Sequence, residues 1–283
     1  MDKLILKSTT LLAGILISAP MIITTASAAT TGGDYTSSAN LTLQAGTGPV
    51  DPLDPTDPTN PVTPVDPGTP GASGNLTVDY GSTLYFGTQS ISTQSKTYYA
   101  HPDMVKDQSN VVKVVPNYAQ VTDQSGELSG WTLSLTQASD LHMTTGTSTD
   151  PGYALSGAQI SFTGGTLLGG NGITAGKPSD VVASGTLTPG VATKLVSAAK
   201  NEGAGTWLYN FGDVDAYDAS SVDTANTTDH TKVATKSAIS LAVPAGLIEK
   251  AAPYTTDLYW SLQAVPGNDW DGNGNTSAVT PAP

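Results

Sequence analysis

The sequence predicts an all-β protein whose main body, residues 74–283, is an antiparallel β-sandwich or a barrel-like domain. Two observations favour this class. Apolar and polar residues alternate over many short segments, and glycine, asparagine and aspartate lie between those segments. The chain of 283 residues contains no cysteine, so a packed core rather than disulfides must hold the domain together. A domain of roughly 200 residues is large enough to form such a core.

Residues 1–28 have the features of a secretory signal peptide. Lys3 and Lys7 precede an apolar run at residues 11–17, and the small residues Ala26-Ser27-Ala28 follow. We expect cleavage after Ala28 and export of the remaining chain. No later segment is apolar over the length that a bilayer requires, so we expect a secreted, extracellular protein without a transmembrane anchor. Residues 29–48 form a short N-terminal segment, in which residues 40–43 are a possible strand.

Proline recurs at every third position from Pro49 to Pro70. A polyproline II helix has three residues per turn, so this period aligns the prolines along one ridge. We interpret residues 49–73 as a semi-rigid polyproline II spacer that precedes the β-domain. A ligand for a proline-recognising domain is the less favoured reading, because such ligands normally have a basic flank. If the possible strand at residues 40–43 pairs with the later domain, the proline segment is instead a loop.

Several segments of residues 74–283 alternate in the manner of strands: 76–80, 131–135, 160–162, 207–211, 239–243 and 258–262. Residues 194–200 could form one helical turn, which is too short to change the class. Alternation places Trp131, Leu133 and Leu135 on one face of a strand and places Leu258, Trp260 and Leu262 on one face of another. Faces this apolar favour a buried core. Stacking of an exposed tryptophan on a sugar ring is the alternative.

Two Trp-x-Leu tripeptides, Trp131-Thr132-Leu133 and Trp260-Ser261-Leu262, belong to a longer ordered set of motifs. The other members are residues 74–80, 86–89, 97–100, 115–123, 155–160, 205–207 and 254–259. Together they resemble the WxL-domain surface proteins of Gram-positive bacteria. The resemblance implies noncovalent attachment to the cell wall, with peptidoglycan as the ligand, beside other exported surface proteins. It marks Trp131, Leu133, Trp260 and Leu262 as wall-binding motif residues and implies no catalysis.

Two further aromatic residues, Trp207 and Tyr254, lie in the segments that resemble the family. Each is a candidate either for a glycan contact or for a core position. The tail after Pro266 carries Asp269, Asp271 and Asn273 at the spacing that opens a calcium loop. Thr280 stands where such a loop normally has a bidentate glutamate, so the match is partial. We therefore expect no cofactor other than, at most, this calcium ion.

The composition excludes some function classes. The formal net charge is −13 and every basic residue is a lysine, so nucleic-acid binding is not expected. Gram-positive walls carry anionic polymers that repel such a chain. Attachment should then depend on glycan or peptide contacts, or on bridging cations, rather than on direct charge attraction.

No enzyme motif is complete. Residues 172–178 match a phosphate loop only in part, because Asn171 and Pro178 occupy two of its key positions. The three histidines lack the spacing of metal ligands. A glycosidase needs two carboxylates placed across a cleft, and the acidic loops of this chain would supply such a pair only by chance. The alternative to wall anchoring is therefore another kind of binding protein. Such an adhesin or complex subunit would bind a host, matrix or exported protein through a sheet edge or an aromatic patch.

Overall fold

The computed structural model describes residues 35–48, 50–66, 68 and 73–264. The chain divides into two units, Met1–Thr42 and Leu43–Pro283. The predicted signal peptide and the candidate calcium residues Asp269, Asp271 and Asn273 lie outside the described residues. The possible strand at residues 40–43 is not present. These residues join no described ladder, and Leu41 and Leu43 are exposed.

The all-β prediction is confirmed, with antiparallel sheets in a barrel-like or propeller-like arrangement. The first strands are β1 (Leu53–Asp54), β2 (Asp57–Pro61), β3 (Thr63–Pro64), β4 (Leu76–Gly81), β5 (Lys96–Tyr99), β6 (Asp103–Lys106), β7 (Val112–Val115), β8 (Tyr118–Asp123), β9 (Trp131–Gln137) and β10 (His142–Met143). The later strands are β11 (Gln159–Phe162), β12 (Gly165–Gly169), β13 (Asp180–Val181), β14 (Gly185–Thr186), β15 (Ala192–Ala198), β16 (Gly205–Phe211), β17 (Ile239–Val243), β18 (Tyr254–Thr255) and β19 (Leu258–Ala264). Short 3₁₀ helices span Gly170–Gly172 and Ala219–Ser221.

Three four-stranded antiparallel sheets form the main part of the domain. The central sheet has the order β12-β16-β8-β4, the motif sheet β13-β15-β9-β19, and the third sheet β14-β11-β17-β5. Smaller sheets are β3-β6-β7, β1-β2 and β10-β18. Within the described part of the chain, β4 and β19 each pair on one side only, so the central and motif sheets both end in an unpaired edge.

The main core lies between these three sheets. The inward residues of β9, β11, β15, β16 and β17 form one buried cluster, which includes Trp207 and Phe211. Aromatic rings meet edge to face there: Phe162 lies 5.4 Å from Phe211, and Tyr209 lies 5.0 Å from Phe211, between ring centroids. Such contacts stabilise a core beyond its buried area. Trp207 is fully buried in this cluster.

Residues 50–66, which contain most of the proline segment, pack on the central sheet. Strands β1 and β2 form a hairpin, and Leu53 lies in a second buried cluster. The Gln120 side chain accepts a hydrogen bond from the Leu53 backbone N–H at 2.7 Å, and the Asn210 amide donates to the Pro55 carbonyl at 2.8 Å. Apolar burial and these bonds hold residues 50–66 against the sheet.

Candidate functional site

The two Trp-x-Leu motifs lie side by side in the motif sheet. Strand β19 pairs with β9 in antiparallel register, with Trp260 opposite Leu135, Leu262 opposite Leu133 and Ala264 opposite Trp131. Alternation places the tryptophans and leucines on the core face and the middle residue of each motif on the other face. The motifs, far apart in sequence, therefore form one continuous structural unit.

The first motif belongs to the core. Trp131 is 0% exposed, and Leu133 and Leu135 are also buried. The Trp131 indole Nε1–H donates to the Gly203 carbonyl oxygen at 3.0 Å. A Cβ on Gly203, whose φ is +82°, would lie 2.3 Å from that nitrogen, so only glycine fits here. Trp131 is thus inaccessible to an external ligand.

The second motif is at the boundary of the core. Leu258, Trp260 and Leu262 are half-buried against the main cluster, and the Trp260 ring lies 6.3 Å from Phe211 in a tilted edge contact. The indole rests on β4, because a Cβ on Gly81 would lie 2.4 Å from the Trp260 Nε1. Each motif tryptophan therefore packs over a glycine backbone, but only Trp260 borders a groove.

The opposite face of the motif sheet is polar and is termed the outer face. Strand β9 contributes three half-buried hydroxyl residues to it: Thr132, Ser134 and Thr136. Strand β19 contributes Tyr259, Ser261 and Gln263. Strands β9 and β19 contain no charged residue. The outer face also carries Lys194 of β15, which forms an ion pair with Asp180 of β13. Tyr259 is 58% exposed, so its ring is free to stack on a flat partner.

A groove of about 1700 Å³ is lined by residues of β4 and β19 and is termed the seam groove. Loops at residues 82–91 and 249–257 extend its walls, and Tyr98 and Tyr254 line it. The Tyr254 hydroxyl donates to the Gly152 carbonyl at 2.8 Å and accepts from the Lys250 backbone N–H at 3.0 Å. Tyr254 is half-buried and fixed by these bonds, so it shapes one wall of the groove.

A buried carboxyl group lies beneath β4. The Asp103 carboxylate accepts hydrogen bonds from the Tyr80 hydroxyl and the Ser82 hydroxyl, each at 2.6 Å. Burial raises the pKa of Asp103 to about 6, although these hydrogen bonds favour the charged form. Burial likewise raises the pKa of Asp79, whose carboxylate accepts from Thr122 at 2.6 Å. Both carboxyls are bonded to sheet residues and fasten β4 to its neighbours.

The histidines occupy structural positions. His101 is buried, and its Nε2 lies 2.7 Å from the Lys232 carbonyl oxygen. The His230 ring stacks on Tyr85 at a centroid distance of 3.6 Å. Within residues 35–48, 50–66, 68 and 73–264, no group of three His, Asp or Glu side chains is arranged to hold a metal ion. The same ranges contain no helix long and apolar enough to span a membrane.

Alternation in the sequence predicts the motif strands but not their pairing, the outer face or the seam groove. Tyr259 and Gln263 flank the second motif at positions that alternate with Trp260 and Leu262, and that alternation was the available signal. The groove had no local signal, because β4 and β19 come from opposite ends of the domain.

Comparison with known proteins gives one result. The model of the WxL domain, a surface domain that binds the cell wall, matches residues 30–266. No curated protein and no solved structure matches the chain. The match includes both paired Trp-x-Leu strands and most of the sequence. The chain therefore belongs to the family of WxL-domain surface proteins, which bind the cell wall.

Proposed function

We propose that this protein attaches noncovalently to the cell wall by binding the glycan of peptidoglycan on the outer face of the motif sheet. The family supplies the general activity, because its domain binds the cell wall at the surface. The observation that carries the finer proposal is the character of the outer face. This face combines an exposed tyrosine ring with a row of hydroxyl and amide groups. Strands β9, β15 and β19 contain no acidic residue.

This chemistry suits an uncharged polysaccharide. The Tyr259 ring offers a flat apolar surface for a sugar, and the Gln263 amide and the hydroxyls of Ser261 and Thr136 offer hydrogen bonds to its hydroxyl groups. The motif tryptophan and leucine side chains act from beneath, by fixing the position of the strands that present these groups. In this proposal Trp131 and Leu133 support the wall-binding surface without contacting the wall.

The charge of the chain supports a glycan rather than an anionic polymer as the ligand. The net charge of −13 repels polyanions, whereas the outer face itself is nearly uncharged. Wall binding should therefore be insensitive to salt or become stronger as salt screens the repulsion. A steep loss of binding with rising salt would contradict the proposal.

The test is pelleting of the purified protein with protein-free Gram-positive sacculi, before and after removal of anionic polymers. We expect saturable binding that survives polymer removal. Tyr259→Ala should weaken it roughly tenfold, and Gln263→Ala about fivefold, the effects of one stacking contact and one hydrogen bond. Tyr35→Ala is the matched control, because Tyr35 is 92% exposed and lies outside the motif sheet.

Circular dichroism of each variant must show an intact fold, since loss of binding by unfolding carries no information on the contact. Wild-type affinity of folded Tyr259→Ala and Gln263→Ala would refute the outer face as the binding surface. Binding that disappears with the anionic polymers would refute peptidoglycan as the ligand.

A further inference from the structure

We propose that the seam groove binds the peptide branch of peptidoglycan and that Glu249 receives a side-chain ammonium group of that peptide. This inference rests on the proposed function, because it adds a peptide subsite to the glycan surface on the outer face. The ligand is a short peptide of small apolar residues that carries one primary amine. The glycan and its peptide branch then contact two adjoining surfaces of the motif sheet.

The seam groove adjoins the outer face around the edge of β19. All residues from Leu258 to Leu262 line the groove, so its wall includes side chains from both faces of this strand. Tyr259 and Ser261 belong both to the groove and to the outer face. In the described part of the chain β19 is the last strand of the motif sheet, so no further strand separates the two surfaces. A branched ligand can therefore place one part on each surface.

The apolar lining of the groove suits a peptide better than a sugar. The Trp260 indole packs on the Gly81 backbone, so a ligand lies over the contact of β4 with β19 and not between these strands. Leu141, Leu155 and Leu241 line the groove and belong to the main core. An aliphatic surface offers sugar hydroxyls no hydrogen-bond partner, which is costly. The methyl groups of alanine residues are instead stabilised by burial there.

Glu249 is a carboxylate held in position at the wall of the groove. It is half-buried, and its Oε2 accepts a hydrogen bond from the Ser92 backbone N–H at 3.0 Å. The Tyr98 ring lies beside it, since burial and the Glu249 charge raise the pKa of Tyr98. Among the described residues Glu249 forms no ion pair. A fixed carboxylate next to an aromatic ring binds an ammonium group by a charge-assisted hydrogen bond and a cation–π contact.

The other charges at the groove suit a peptide that carries both an amine and a carboxylate. The Tyr259 hydroxyl lies 3.5 Å from the Asp257 Oδ2, so negative charge extends from Glu249 toward the outer face. Lys250 also lines the groove and is exposed, so it is available to a carboxylate of the same peptide. An anionic polymer without amino groups meets mainly carboxylates here and is disfavoured.

The experiment uses the purified protein and the synthetic tripeptide L-Ala-D-isoglutaminyl-L-Lys as the probe. We expect saturable binding in calorimetry and slower hydrogen exchange of backbone amides in the loop of residues 249–257. The same tripeptide with an acetyl group on the lysine amine keeps its shape but loses the positive charge. It should bind at least tenfold more weakly.

Charge removal on the protein provides the matched variant. Glu249→Gln keeps an oxygen that accepts from the Ser92 N–H, so the circular dichroism spectrum should not change. It should weaken tripeptide binding about tenfold. Glu127→Gln is the control, because Glu127 is exposed and does not line the groove. Absence of saturable binding at millimolar tripeptide, equal binding of the acetylated form, or wild-type affinity of folded Glu249→Gln would overturn the proposal.

Peptide-free glycan strands separate this inference from the proposed function. Gln263 lies on the outer face and does not line the seam groove. Gln263→Ala should weaken binding of these glycan strands and leave tripeptide binding unchanged, while Glu249→Gln should do the reverse. If the glycan strands bind and the tripeptide does not, the peptide subsite alone is refuted. If the tripeptide binds and the glycan strands do not, the glycan surface fails and the assignment of the groove to the peptide is supported.

Discussion

Replacement of Trp131 by alanine should destabilise the domain more than replacement of Trp260 or of the neighbouring Tyr259. Trp131 is fully buried and donates a hydrogen bond to the Gly203 carbonyl, so its loss leaves a large cavity and an unpaired oxygen. The expected cost is about 3–5 kcal/mol of unfolding free energy. Trp260 is half-buried, so its replacement by alanine should lower the unfolding free energy by about 2 kcal/mol. Tyr259 is exposed, so its replacement should lower it by less than about 1 kcal/mol.

Urea denaturation followed by far-ultraviolet circular dichroism measures the stability loss of each variant without relying on tryptophan fluorescence. With a denaturant slope of about 3 kcal/mol/M, a loss of 4 kcal/mol lowers the midpoint by about 1.3 M. Trp131→Phe is the control, because it keeps an aromatic ring but removes the donor to Gly203. It should give an intermediate loss of about 1–3 kcal/mol. Equal midpoints for wild type and Trp131→Ala, or a larger loss for Tyr259→Ala, would refute the assignment of the first motif to the core.

Three further predictions concern the sheet beneath the groove and the hairpin beside it. The pKa of Asp103 is raised from 3.8 to about 6, so the folded state holds its proton longer than the unfolded state. Stability should therefore fall by about 3 kcal/mol at most as the pH rises from about 4 to about 6, and Asp103→Asn should flatten this dependence in pH-resolved urea melts. Gly81→Ala should displace the Trp260 ring and shift the fluorescence maximum to longer wavelength, and an unchanged spectrum would contradict the contact. Gln120→Ala removes the acceptor of a hairpin N–H, so limited proteolysis within residues 50–66 should become faster than in wild type.

Local alternation was sufficient to predict the class and several strands. The pattern at residues 131–135 and 258–262 correctly assigned one face of each motif to the core side, because a strand in a sheet with one buried face must alternate. The helical turn considered for residues 194–200 was wrong, since Ala192–Ala198 is strand β15. Its second half is buried on both faces, so it lacks the alternation that identifies a strand.

Nonlocal contacts limited the rest of the prediction. The burial of Leu53 and its backbone hydrogen bond to Gln120 depend on residues distant in sequence, so the threefold proline period does not report them. The same holds for the seam groove, which exists only because two sheets end at strands distant in sequence. Sequence patterns report the conformation of a segment, whereas the packing partner that gives it a role is supplied by the tertiary structure.

The acidity of the chain also has a structural explanation that bears on wall binding. Several aspartates in the loop of residues 213–231 cap nearby backbone N–H groups: Asp213 binds that of Asp215, Asp218 that of Ser220, Asp223 that of Ala225 and Asp229 that of Thr231. Short acidic side chains stabilise turns in this way. Much negative charge is thus used to form loops, while β9 and β19 carry none. A strongly acidic protein can in this way keep two strands of the motif sheet free of charged residues while its loops carry the negative charge.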